Sequence, residues 1–114
     1  MIHYGMTKAA QIAVARGMAE LTAGSGVTVN TVLPGPTRSR GVGDFVIEMA
    51  SAAGKTPAEV EREFFKTARP TSLLQRFAAP DEVAALVTYV ASPRSSATNG
   101  AALRVDGGVI KTAF

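Results

Sequence analysis

With 114 residues, 46% hydrophobic and 18% charged, the chain has the composition of one small globular domain and not of a disordered segment. Its 12 Lys and Arg against 9 Asp and Glu give a net charge of +3, but the cations are scattered and no basic run interleaves with aromatics, which argues against a nucleic-acid partner. The lack of cysteine excludes disulfides and thiolate metal sites, and a single histidine, His3, leaves no histidine cluster for a metal.

No apolar core of a signal peptide leads into Lys8, and Lys8, Arg16 and Glu20 break the longest apolar stretch, so no membrane partner is expected and a cytoplasmic location is the default. The pattern over 4–23 predicts a helix. Ala9, Ala10, Ile12, Ala13, Val14, Ala15, Met18, Ala19 and Leu21 make it apolar around much of its circumference, the mark of a helix buried on more than one side. Gly24-Ser25-Gly26 ends it, glycine being able to take the left-handed cap.

Residues 27–33 are β-branched or apolar apart from Asn30 and are bounded by Gly26 and Pro34, which predicts a strand. Their apolar side chains fall on both alternations, as in a parallel sheet covered on both faces. Such sheets bind ligands beyond the carboxyl ends of their strands. Pro34, without an N–H, is expected to end the ladder, and Gly35 to let backbone approach a ligand with no Cβ in the way.

Residues 36–79 form a long excursion. Arg38, Arg40, Gly41 and Gly43 read as loop and 44–53 as a short helix. Thr56-Pro57-Ala58-Glu59 has the form of a capping box with proline at the first helical position. Val60, Phe64 and Ala68 form the inner stripe of that helix, and Arg69-Pro70 stops it. Pro80-Asp81-Glu82 opens a further helix, over 80–92, with Val83, Leu86, Val87, Val90 and Ala91 inward. The segment 101–108 supplies a last short strand and the turn Asp106-Gly107-Gly108. Two strands joined by a long helical crossover should be parallel and right-handed, so the fold class is α/β.

Tyr4 and Lys8 lie four apart at the start of a helix and so point from one face. An ammonium near a phenol stabilises the phenolate, and a tyrosine so placed can pass a proton to or from a reacting carbonyl or alcohol oxygen. The ordinary alternative is a lysine on a solvated helix end. His3, beside the helix start, reads as incidental.

A Tyr-x-x-x-Lys helix, a glycine turn and a strand ending in Pro34-Gly35, followed by Pro80-Asp81-Glu82-Val83-Ala84 and Thr98-Asn99-Gly100-Ala101-Ala102-Leu103-Arg104-Val105-Asp106-Gly107-Gly108, resembles the short-chain dehydrogenase/reductase family. These segments span most of the chain in the family's order, with 38–75 the least distinctive part. The resemblance implies the C-terminal part of a Rossmann-like doubly wound parallel sheet, a single partial domain over 1–114. It implies Tyr4 as the catalytic acid/base and Lys8 as the residue that binds the nicotinamide ribose and supports Tyr4, both touching the cofactor, NAD or NADP. Pro34 and Gly35 would line the nicotinamide through backbone, and Thr37 would offer it a hydroxyl. Residues 36–79 would be the lid over a small carbonyl or secondary-alcohol substrate, for instance of the 3-oxoacyl reductase kind. No metal is implied.

The family's glycine-rich phosphate loop, a strand–turn–helix, does not occur. Gly24-Ser25-Gly26 runs from helix to strand, and Gly41-Val42-Gly43 is read as a turn after the strand. The chain is therefore expected to be a C-terminal half, inactive alone, with an open sheet edge and an uncovered apolar helix face that recruit another copy into a homo-oligomer, a dimer or tetramer. The resemblance implies that the contact surfaces are the helix over 4–23, the helix over 80–91 and the segment 101–114. The alternative is a non-catalytic association fragment that keeps those surfaces.

Overall fold

The computed structural model describes residues 2–113; Met1 and Phe114, the last residue of the expected contact tail, lie outside the described residues. The elements are α1 (Ile2–Leu21), β1 (Thr31–Pro34), α2 (Arg40–Ala53), α3 (Pro57–Thr67), α4 (Pro80–Val90), a short 3-10 helix (Pro93–Ser95) and β2 (Ala102–Val105). The two strands pair with each other. Thr31 N–H donates to Ala101 O and Gly35 N–H to Val105 O, so the register advances in the same direction on both strands and the pairing is parallel, as expected. No described helix is long and apolar enough to cross a membrane.

The chain forms two compact units, one holding the residues up to Leu33 with Ala85–Arg104, the other Pro34–Ala84 with the residues from Val105 onward. In the first unit α1 is a regular helix, closed by Gly24 and Gly26, both in the left-handed region as the turn requires. Ala19 is the one buried apolar residue of this unit among those described. Ile2, Met6, Val14, Met18 and Leu21 all stand exposed, so the expectation of burial on more than one side is corrected. An all-round apolar pattern states what a helix can cover, not what lies beside it.

The strand expected over 27–33 is regular only at Thr31–Pro34. Before Thr31, side-chain amides join the backbone bond from Gly100 N–H to Val29 O (2.9 Å): Val29 N–H donates to Asn99 Oδ1 (2.8 Å), Asn30 Nδ2 donates to Thr98 O (2.8 Å), and Asn30 Oδ1 accepts from Ala101 N–H (3.0 Å). Pro34 does not end the pairing. Thr31 and Gly35 donate toward β2, so Pro34 sits in the alternate position, whose missing N–H faces away from that partner. Both strands are half-buried for the most part, with none of their residues fully covered.

The second unit holds the core. Val46 and Ala50 of α2, Val60 and Phe65 of α3, and Phe77 form one buried cluster, with Val42 and Phe64 packed against it. The rings of Phe64, Phe65 and Phe77 meet pairwise with centroids 5.0–5.1 Å apart, two contacts edge-on and one stacked. Each such contact is worth about 0.5–1.5 kcal/mol beyond the area it buries. Phe65, 1% exposed, is the most deeply buried residue of the helix and joins the expected Phe64, which is half-buried against the cluster, while Ala68 is exposed at the helix end. Thr56 and Glu59 form the expected capping box. The Thr56 backbone and hydroxyl bonded to the Glu59 carboxylate hold that carboxyl below its ordinary range.

Arg40, Gly41 and Gly43, expected in loop, belong to the first turn of α2. Ser39 is the N-cap, Gly43 N–H donates to Ser39 O, and Gly54 closes the helix in the left-handed region. The glycines are tolerated there because the core residues Val46 and Ala50, one helical turn apart, hold the following turns in place.

Candidate functional site

In the first unit, Tyr4 stands in the opening turn of α1 and is 53% exposed. Lys8, one turn on, places its ammonium 5.4 Å from the centroid of the Tyr4 ring, and that Nζ donates to Gln11 Oε1 at 3.3 Å. Thr7 Oγ1 donates back to Tyr4 O at 2.8 Å, which ties the turn that carries the phenol. Helical spacing thus brings Tyr4 and Lys8 together, and both side chains are open to solvent and to any ligand. His3 is exposed on the same turn.

In the second unit, Pro34, Gly35 and Thr37 follow one another out of β1. A Cβ built on Gly35 would lie 2.5 Å from Asp106 O and 2.6 Å from Asp106 Cα. Glycine is therefore demanded here by the backbone of the turn after β2, a reason independent of any ligand. Thr37 Oγ1 donates to Gly35 O at 2.9 Å, which leaves its oxygen lone pairs free to accept. Thr37 is held in a parallel bridge to Ala78: Arg38 N–H donates to Ala78 O (2.8 Å) and Ala78 N–H to Pro36 O (2.9 Å).

The turn Asp106-Gly107-Gly108 is knit to the segment after α3. Gly107 O accepts from both Leu73 N–H and Leu74 N–H at 2.9 Å, while Asp106 accepts from Gly108 N–H (3.0 Å) and Ile110 N–H (3.2 Å). A surface groove along α3 is lined by Lys55, Glu59, Arg62, Glu63, Lys66 and Thr67; it holds none of the expected site residues, and Lys55 and Glu63 pair across it at 2.6 Å.

Two residues escaped the sequence reading. Asn30 was visible only as the polar exception in an apolar run, and its amide ties β1 to the loop before β2. Glu61 had no signal at all, since a carboxylate in a charged helix reads as solvated surface; it in fact bonds Phe77 N–H at 2.9 Å and pairs with Arg38.

The chain is similar, over nearly its whole length, to proteins described as oxidoreductases, two of them uncharacterized. Residues 1–110 match the family model described as enoyl-(acyl carrier protein) reductase. The chain is 49% identical over 112 residues to the oxidoreductase YvrD of Bacillus subtilis (strain 168), covering 98% of this chain and 43% of that protein. It is 46% identical over 114 residues to the oxidoreductase YvaG of the same organism, covering 100% of this chain and 43% of that one. Among solved structures, L-sorbose reductase from Gluconobacter frateurii, complexed with NADPH and L-sorbose, superposes with a TM-score of 0.84 at 26% identity, over 96% of this chain and 40% of that one. The chain thus spans about two fifths of the length of the relatives it matches.

Proposed function

The chain belongs to the short-chain dehydrogenase/reductase family, and from that premise we propose that it carries the proton-transfer residues of an NAD(P)-dependent oxidoreductase acting on a carbonyl or secondary alcohol. The observation that supports this most is the Lys8 ammonium 5.4 Å from the ring of an accessible Tyr4. Tyr4 holds a proton at its phenolic oxygen and delivers it to the carbonyl oxygen as that oxygen gains charge; in the oxidising direction it takes the proton back. Lys8, steadied by Gln11, offsets the negative charge left on the phenolate.

Taken unit by unit, the chemistry of these residues suits a nicotinamide ribose. In the first unit Lys8 is an exposed donor for a ribose hydroxyl with the Tyr4 ring beside it, and in the second the Thr37 oxygen, its own proton given to Gly35, remains an acceptor. Pro34 and Gly35 would line the ring through backbone. When bound, the cofactor supplies or accepts hydride. NADPH in the similar L-sorbose reductase supports this reading.

The narrower substrate reading, a 3-oxoacyl compound, rests on the sequence resemblance; the match to a family model described as enoyl-(acyl carrier protein) reductase supports an acyl thioester and no more, and residues 36–79 would be the lid that shapes its pocket. The sequence has no strand–glycine-rich turn–helix for the pyrophosphate, so the 114-residue chain alone is inactive in this account. The uncovered apolar side chains of α1 favour a second role beside it: a homo-oligomeric contact surface, which is all that a non-catalytic fragment would retain.

The test is a fusion of this chain behind the amino-terminal part of YvrD. The fusion should oxidise NADPH or NADH with a 3-oxoacyl thioester or a simple ketone, whereas the chain alone should show no heat of NAD(P)H binding by calorimetry. A folded fusion inert toward every carbonyl offered would refute the enzymatic reading, and micromolar binding by the chain alone would refute its dependence on a glycine-rich half.

A further inference from the structure

The α3 helix shows most of its charges to solvent, but Glu61 is different: its side chain is only 17% exposed, against 57% for Glu63 two positions on. Both of its oxygens are engaged. Oε1 accepts from Phe77 N–H at 2.9 Å, and Oε2 takes the guanidinium of Arg38. That guanidinium also stands over the Phe77 ring, 5.6 Å from its centroid. A carboxylate this enclosed persists only with such partners.

The two segments it grips are the ones that pair at Thr37 and Ala78. That pairing is a lone bridge outside the named strands, held by Arg38 N–H to Ala78 O and Ala78 N–H to Pro36 O. A two-stranded contact so short has little stability by itself. Glu61 adds one bond to each side, to the residue after Thr37 and to the residue before Ala78. Thr37 is thereby fixed from both directions, since its own carbonyl accepts from Ser39 N–H at the start of α2.

We propose that Glu61 is the positioning residue for Thr37: from α3, within the lid, it clamps the turn that presents the Thr37 hydroxyl. This deepens the site described above and rests on the reading that Thr37 meets the cofactor. The clamp means that a displacement of α3 pulls directly on the cofactor turn, through one carboxylate.

Amide hydrogen exchange by NMR on the 114-residue chain tests this without any cofactor, so a failure of the clamp is distinguishable from a failure of the cofactor reading, which the calorimetric and fusion experiments address. In Glu61→Ala, the amides of Arg38 and Ala78 should lose protection by about tenfold or more, while those of Val60 and Phe65 in the core and of α1 stay within about twofold. Glu61→Gln keeps an oxygen for Phe77 N–H and should restore Ala78 to within about threefold of the unmutated chain. Unchanged protection at Arg38 and Ala78, or an even loss across α2 and α3, would overturn the proposal. Should Glu61→Ala not fold, Arg38→Ala removes the ion pair and the guanidinium over Phe77 while leaving Glu61 bonded to Phe77 N–H, and should still loosen the amide of residue 38; no change there would overturn it equally.

Discussion

Glu82 is held by three hydrogen bonds, two from Arg76 (2.8 and 2.9 Å) and one from Ala79 N–H (2.7 Å). The Arg76 guanidinium, with the Ala79 amide second, pulls its carboxyl from the ordinary 4.5 down to about 2. A depressed folded-state value means that the stabilising effect is complete above about 4.5 and is lost as the pH falls toward about 2. Denaturant midpoints of the unmutated chain and Glu82→Gln should therefore differ at pH 6 and converge between roughly pH 4.5 and 2; the pair is exposed, so the difference is small. A gap that persists at pH 2 would contradict the assignment. Gly35 gives a second residue-scale test. A methyl group there meets immovable backbone at Asp106, so Gly35→Ala should cost about 1–3 kcal/mol in denaturant unfolding of the chain alone. The sequence reading attached this glycine to a ligand; the constraint from the neighbouring strand was invisible because it comes from a residue far along the chain.

Among elements, local chemistry was the legible part. The Thr56–Glu59 box, the glycine stop after α1 and the spacing of Tyr4 and Lys8 each depend on residues a turn apart, and each stands where the pattern puts it. What depends on distant partners was not legible. The start of α2 was masked by glycines that its core contacts override, and the onset of β1 was displaced by amides of Asn30 and Asn99 that bond backbone groups there. The segment 36–79, which contains the part least distinctive in sequence, holds the buried apolar cluster found among the described residues. Phe65→Ala should accordingly destabilise the chain by about 3–5 kcal/mol, whereas Phe45→Ala, at a site 59% exposed, should stay within about 0.5 kcal/mol. Urea denaturation followed by circular dichroism measures both, and equal effects would contradict the placement of the core.

For the whole molecule, the contrast lies between a unit with a ring-packed core and a unit whose long helix buries Ala19 alone among its described apolar residues. The proposed association follows from that surface, and Ala13→Glu, a charge in the exposed alanine-rich stretch of α1, should shift sedimentation of the chain at low micromolar concentration toward the monomer. A sharply melting monomer of the unmutated chain would contradict it. The central proposal is narrower, that Tyr4 is the group that moves the proton. Its most direct test is Tyr4→Phe in the fusion with the amino-terminal part of YvrD, with turnover and NADPH affinity measured on the same preparation. Loss of kcat by about 10²–10⁴-fold with NADPH affinity nearly unchanged is the predicted result; turnover that survives the loss of the phenolic hydroxyl would contradict the account.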